Sequence, residues 1–89
     1  MIGASSIDED GSILDFDSRE VAVSRTILKN ARTRILVADH SKFERNAPVR
    51  ICNLSELEYV ILDGEPPVKF LSVAASCGAR VLTEETFNA

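Results

Sequence analysis

The clearest signal along the chain is an unbroken apolar run at residues 35–38, which leads directly into Asp39 and further polar residues. Such a run is typical of a parallel strand buried on both faces, so we predict a strand over residues 34–39. Shorter apolar runs predict strands over residues 48–52, 59–63 and 80–83. Residues 5–16 carry many acids and are expected to form a polar loop.

Helical spacing predicts two helices between these strands. The first begins after Asp17, which can cap its free N–H groups, with Glu20 completing a capping box. It should end near residues 31–32. At 100° per residue, the apolar face is expected to hold Val21, Val23, Ile27, Leu28 and Ala31, and the polar face Arg25, Thr26 and Lys29.

The second helix is predicted over residues 67–77. Proline suits its first turn, and Gly78 can close it in a left-handed conformation. Strands that alternate with helices favour a parallel sheet with right-handed crossovers. The expected fold class is therefore α/β, with a parallel or mostly parallel sheet and flanking helices.

Composition narrows the function classes. The chain has 89 residues, enough for one small domain, and a net charge of −4, which argues against these residues gripping nucleic acid by its phosphates. No apolar stretch approaches the length of a membrane span. Cys52 and Cys77 have no metal-type spacing and the chain has one histidine, so we expect no metal site. No cofactor is expected either. Two isolated thiols fit a reducing cytoplasm.

Polar residues follow the strand at 34–39 in a place suited to a ligand. In open α/β sheets, ligands bind beyond the carboxyl ends of the strands. The ammonium of Lys42 is a good partner for phosphate. Asp39 could orient Lys42, accept a ligand hydroxyl, or cap the turn through Ser41. A solvated strand exit without a ligand is an equally good interpretation of the pattern alone.

Several short motifs, in order and at fixed spacing, resemble one family. They are GASSID at 3–8, GS at 11–12, DFD at 15–17, EV at 20–21, Arg25, Ala31 and ADHSKF at 38–43. They are similar to the C-terminal half of DeoR-family transcriptional regulators, and most similar to the members that respond to glycerol 3-phosphate. The likeness extends from Gly3 to about Val81.

The resemblance implies an effector-sensing domain with the fold of ribose-5-phosphate isomerases and CoA transferases. A small phosphorylated sugar or polyol, with glycerol 3-phosphate favoured, would weaken DNA binding by a separate helix-turn-helix domain. Residues 1–89 would be the C-terminal portion of the sensor, without that domain. An open sheet edge would favour a homo-oligomer, and the isolated piece is expected to bind effector weakly.

The same segment is similar to A-type ribose-5-phosphate isomerases. Arg19 and Glu20 match their helix-start motif, and DHSK at 39–42 matches their strand end. Ser5 and Ser6 stand where the isomerases carry carboxylates, which suggests a pocket that kept its shape and lost its chemistry. Glu20 could accept a ligand hydroxyl, complete the capping box, or do both.

We therefore expect a non-enzymatic sensor of a repressor. The alternatives are a sugar-phosphate isomerase fragment and an interaction domain without a ligand. The expected ligand-binding residues are Gly3, Ser5, Asp8, Glu20, Asp39 and Lys42. Four of them, Ser5, Glu20, Asp39 and Lys42, are expected to surround a common hollow.

Overall fold

The computed structural model describes residues 1–83, which form two three-stranded sheets and two α-helices. The strands are β1 (Ser6–Ile7), β2 (Ser12–Asp15), β3 (Ile35–Ala38), β4 (Val49–Asn53), β5 (Tyr59–Leu62) and β6 (Arg80–Leu82). The α-helices are α1 (Ser18–Asn30) and α2 (Val68–Cys77), and short 3₁₀ turns cover His40–Glu44 and Leu54–Glu56. Within the described residues, no helix is both long enough and apolar enough to cross a membrane.

The parallel sheet has the order β3-β5-β6, which confirms three of the predicted strands. Ile2 extends it through a parallel bridge to Leu36. Leu36 pairs with Val60, and both side chains are fully buried. Side chains alternate between the faces of a strand, so Val37 lies on the opposite face, where it is 39% exposed. The expectation of a strand buried on both faces is wrong, because no described helix covers this second face.

The second sheet is antiparallel, with the order β1-β2-β4. The polar loop expected over residues 5–16 is wrong: these residues form the β1–β2 hairpin. Ile7 and Ile13 are cross-strand partners, and both are almost fully buried. The strand expected at 48–52 exists as β4, but it pairs with β2 instead of joining the parallel sheet.

Of the cap predicted for helix α1, the part formed by Asp17 is confirmed. The Asp17 side chain accepts a hydrogen bond from the backbone N–H of Arg19 at 2.8 Å. The Glu20 carboxylate makes no bond back to the cap residue among residues 1–83, so the predicted capping box is wrong there. A complete capping box instead joins Asn53 and Glu56 at the second 3₁₀ turn.

The buried face of α1 is narrower than helical spacing suggested. Val21 and Leu28 are buried, but Val23 and Ile27 are 60% and 42% exposed. Arg25, expected on the polar face, instead lies across β4 and donates hydrogen bonds to two of its carbonyls. The helix rests on the antiparallel sheet through this one side, which leaves the rest of its apolar surface uncovered.

Helix α2 follows its prediction closely. Pro67 precedes it, and Gly78 ends it in a left-handed conformation with φ of 83°. Phe70 is fully buried in the core shared by both sheets, and its ring meets Phe43 edge to face at a centroid distance of 4.9 Å. This contact packs the 3₁₀ turn after β3 against the helix.

Candidate functional site

The carboxyl ends of neighbouring segments meet at one edge of the parallel sheet. The N–H of Ile2 donates to the carbonyl of Ile35, and the N–H of Val37 donates to the carbonyl of Ile2, both at 2.9 Å. The chain therefore leaves Ile2 at Gly3 beside the outgoing end of β3. Ala38 pairs with Leu62, so β5 ends at the same level. Polar residues that follow these three segments are brought to one edge, as parallel pairing requires.

Asp39 and Lys42 form a local pair at this edge. Asp39 caps the 3₁₀ turn by accepting the N–H of Ser41 at 3.0 Å, and the Ser41 hydroxyl donates to the same oxygen. These bonds from Ser41, aided by Lys42, hold the pKa of Asp39 below its usual range. The Lys42 Nζ lies 3.9 Å from the Asp39 carboxylate, and its side chain is 22% exposed. The result is a restrained, partly buried cation beside an ionised carboxylate.

A second pair, which is not among the predicted site residues, connects β3 to β5. The Asp63 Oδ1 accepts the backbone N–H of His40 at 2.8 Å and lies 3.1 Å from its Nδ1. This contact raises the pKa of His40, and the His40 N–H lowers that of Asp63. The sequence could have indicated this pair, because Asp63 follows β5 directly as Asp39 follows β3, and parallel pairing brings the two strand ends together.

An open cleft of about 640 Å³ lies at the start of α1. Its lining consists of Gly3, Asp15, Asp17, Arg19, Glu20, Val23 and Ser24. Ser5 is tied to this cleft, because its hydroxyl donates to the buried Asp15 carboxylate at 3.0 Å. Carboxylates that face one guanidinium suit the recognition of ligand hydroxyls, and they disfavour a phosphate placed directly among them.

The residues expected to bind the ligand therefore lie in three places: at the cleft, at the edge of the parallel sheet and, for Asp8, at the β1–β2 turn. Gly3 and Glu20 line the cleft, and Ser5 borders it through Asp15. Asp39 and Lys42 pair at the edge of the parallel sheet but do not line the cleft.

Asp8 lies apart from the other expected residues. It begins the β1–β2 turn, where its N–H donates to Ser12 and its carbonyl accepts the N–H of Gly11. The Gly11 carbonyl accepts the N–H of Leu54 at 2.7 Å, so this turn lies against the second 3₁₀ turn. Ser5 stands at the opposite end of the hairpin, beside Leu14.

The described residues offer no grouping of His, Cys, Asp and Glu side chains that could hold a metal ion. Cys52 is buried, and burial raises the pKa of its thiol to about 11. A thiol with this pKa stays protonated at neutral pH and is a poor nucleophile.

Comparison with known proteins gives the family. The family model of the DeoR C-terminal sensor domain matches residues 1–64. The glycerol-3-phosphate regulon repressor of Escherichia coli is 47% identical over 73 residues, which cover 82% of this chain and 29% of that protein. Its namesake in Haemophilus influenzae is 50% identical over 66 residues, covering 74% of this chain and 26% of that protein.

A third relative, the HTH-type transcriptional repressor CsqR of Escherichia coli, is 36% identical over 66 residues, which cover 74% of this chain and 25% of CsqR. This chain therefore spans less than a third of the length of the relatives that it matches. All three relatives are named as repressors, which confirms the resemblance drawn from the motifs. The chain belongs to the family of DeoR C-terminal sensor domains.

Proposed function

We propose that this chain is part of the effector-sensing domain of a transcriptional repressor and that its effector is a small phosphorylated polyol. Glycerol 3-phosphate is favoured, because two of the relatives are named for its regulon. The observation that carries the proposal is the meeting of Gly3, Asp39 and Asp63 at one sheet edge, with the Lys42 ammonium held beside them.

The phosphate and the hydroxyl groups of a phosphorylated polyol would be bound by different residues. Lys42 is a point charge for the phosphate, and Asp39 keeps the lysine side chain restrained, so less conformational entropy is lost on binding. The cleft at the start of α1 offers Glu20, whose carboxylate has no hydrogen-bond partner among residues 1–83, as an acceptor for hydroxyl groups.

The serines that replace isomerase carboxylates support binding without catalysis. Ser6 is fully buried and its hydroxyl donates to the carbonyl of Arg45. The Ser5 hydroxyl is engaged with Asp15. Neither hydroxyl can replace an ionised carboxylate as a proton-transfer group, because its pKa is far from neutrality. We therefore propose a sensor and not an enzyme.

We further propose that the complete domain has the ribose-5-phosphate isomerase and CoA-transferase-like fold and that residues 1–89 are its C-terminal portion. DNA binding would belong to a separate helix-turn-helix domain in a longer protein. Effector binding would act by population shift, because a ligand that prefers one arrangement of the sensor changes the fraction of molecules able to hold DNA.

The test is effector-dependent release of operator DNA by the longer protein, followed by fluorescence anisotropy. Glycerol 3-phosphate should release DNA, and Lys42→Ala should raise the concentration required by about 10- to 100-fold, as expected for a lost charged hydrogen bond. Lys69→Ala, which removes an exposed lysine on α2, is the matched control and should change nothing. Release that is unaffected by Lys42→Ala would refute the proposed site.

A further inference from the structure

A groove of about 550 Å³ between α1 and β4 gathers basic side chains on an otherwise acidic chain. Its charged lining comprises Arg25, Lys29, Arg34, Arg50 and Glu56. Four cations thus face a single carboxylate, whereas the chain as a whole has a net charge of −4. Such a local reversal of sign concentrates anions at the groove.

Two of the guanidinium groups are fixed in place by backbone carbonyls. Arg25 donates from Nε to Ile51 at 2.9 Å and from Nη2 to Arg50 at 2.8 Å. Arg34 donates from Nε to Leu28 at 3.0 Å. A guanidinium carries five N–H donors, so both groups keep donors for a ligand. Because these side chains are already ordered, they lose less conformational entropy when a ligand binds.

The four cations of the groove form no ion pair within the described residues. The ion pairs found among residues 1–83 involve other cations, and none of the four groove cations has a carboxylate within 4.0 Å. One oxygen of the Glu56 carboxylate accepts the backbone N–H of Asn53 at 2.7 Å. Among residues 1–83, the groove therefore has four cations and one carboxylate, which forms no ion pair with any of them.

We propose that this groove binds a phosphate-bearing anion and that it is a second site, separate from the edge that carries Lys42. Arginine forks match phosphate oxygens in a bidentate manner, and several clustered cations favour a ligand with more than one negative charge. Arg34 precedes β3 and Asp39 follows it, so the two sites lie toward opposite ends of the same strand. The phosphate comes either from a small phosphorylated molecule or from a nucleic-acid backbone.

The first test uses the 89-residue chain and pyrophosphate, with binding followed by calorimetry and by amide chemical shifts. The double variant Lys29→Ala/Arg50→Ala removes two groove charges whose side chains make no hydrogen bond among residues 1–83. We expect it to bind about three- to tenfold more weakly, as for two partly solvated ion pairs. Arg32→Ala/Lys69→Ala makes the same change in net charge outside the groove and should keep the affinity of the unmodified chain.

A second arm identifies the source of the phosphate. A short DNA duplex that binds with a steep salt dependence, and loses binding in the groove variant only, would assign the site to a nucleic-acid backbone. Binding of pyrophosphate alone would assign it to a small molecule. The proposal is overturned if neither probe binds, if both double variants weaken binding equally, or if a glutamate oligopeptide binds where pyrophosphate does not. The amide shifts caused by pyrophosphate should centre on the groove residues and not on Lys42, which separates this test from that of the effector site.

Discussion

Replacing Gly11 by alanine should destabilise the chain far more than replacing Gly78, although both glycines have positive φ values. Gly11 has φ of 98°, and an added Cβ would lie 3.2 Å from both the Leu54 Cβ and the Val73 Cγ1. Gly78 has φ of 83°, and an added Cβ would meet nothing within 4 Å. Gly78→Ala thus reports backbone strain alone, and Gly11→Ala reports strain together with crowding.

The expected magnitudes follow from these two terms. A left-handed conformation costs a non-glycine residue about 1–2 kcal/mol, which is the whole cost expected for Gly78→Ala. Crowding into packed side chains adds about 1–3 kcal/mol at Gly11. Because small proteins lose about 1 kcal/mol of stability per molar urea, the unfolding midpoint of Gly11→Ala should lie about 1–3 M below that of Gly78→Ala.

Urea unfolding followed by circular dichroism measures both variants against the unmodified chain. Equal midpoints for the two variants would show that the β1–β2 turn does not pack against Leu54 and Val73. A Gly11→Ala variant as stable as the unmodified chain would indicate that residues 5–16 form a loose polar loop after all. Either result would refute the assignment of this segment to a sheet.

Three further predictions concern titration, reactivity and association. In an NMR titration, His40 should show a pKa above 6.5, and Asp63→Asn should lower it. Because the pKa of His40 is raised in the folded state, the stabilisation from this contact is fully present below the unfolded-state pKa and is lost as pH rises through the folded-state pKa. The unfolding midpoint of Asp63→Asn should therefore depend less on pH than that of the unmodified chain, and equal pH dependence of the two would contradict this. Cys52, with its pKa of about 11, should react with iodoacetamide only on unfolding, whereas the half-buried Cys77 should react in the native chain; mass spectrometry decides between the two sites. The chain should sediment as a dimer or larger assembly, and Val37→Lys on the uncovered sheet face should shift it toward monomer; a monomeric unmodified chain would contradict the expected self-association.

Some elements could be predicted because the apolar pattern and the bounding residues of the element itself were enough to identify it. The apolar run of β3 and the proline and glycine that bound α2 identify these elements without reference to the rest of the chain. The β1–β2 hairpin was missed because the acids at its turn, at residues 8–10, dominate the composition of a segment that has few apolar residues. Ile7 and Ile13 are nevertheless almost fully buried, because each strand of the hairpin buries one apolar side chain, beside the buried Ser6 in β1 and Asp15 in β2.

Which strands pair with each other could not be predicted from the periodicity of apolar residues. Nothing in residues 48–52 indicates that β4 pairs antiparallel with β2 instead of joining β3. The placement of Arg25 across β4 follows from that pairing, so it was missed as well. The meeting of strand ends was predictable, because parallel pairing requires it, but the separation of Asp8 from Ser5 required the hairpin.

The central claim is that a phosphorylated polyol binds at the carboxyl edge of the parallel sheet. The most direct measurement is a map of amide chemical shifts in the longer protein, labelled with ¹⁵N, on titration with glycerol 3-phosphate. The largest changes are expected at Gly3, Ser41 and Lys42, with little change at Asp8. Changes concentrated at the β1–β2 turn or in the groove between α1 and β4, with none at Lys42, would contradict it.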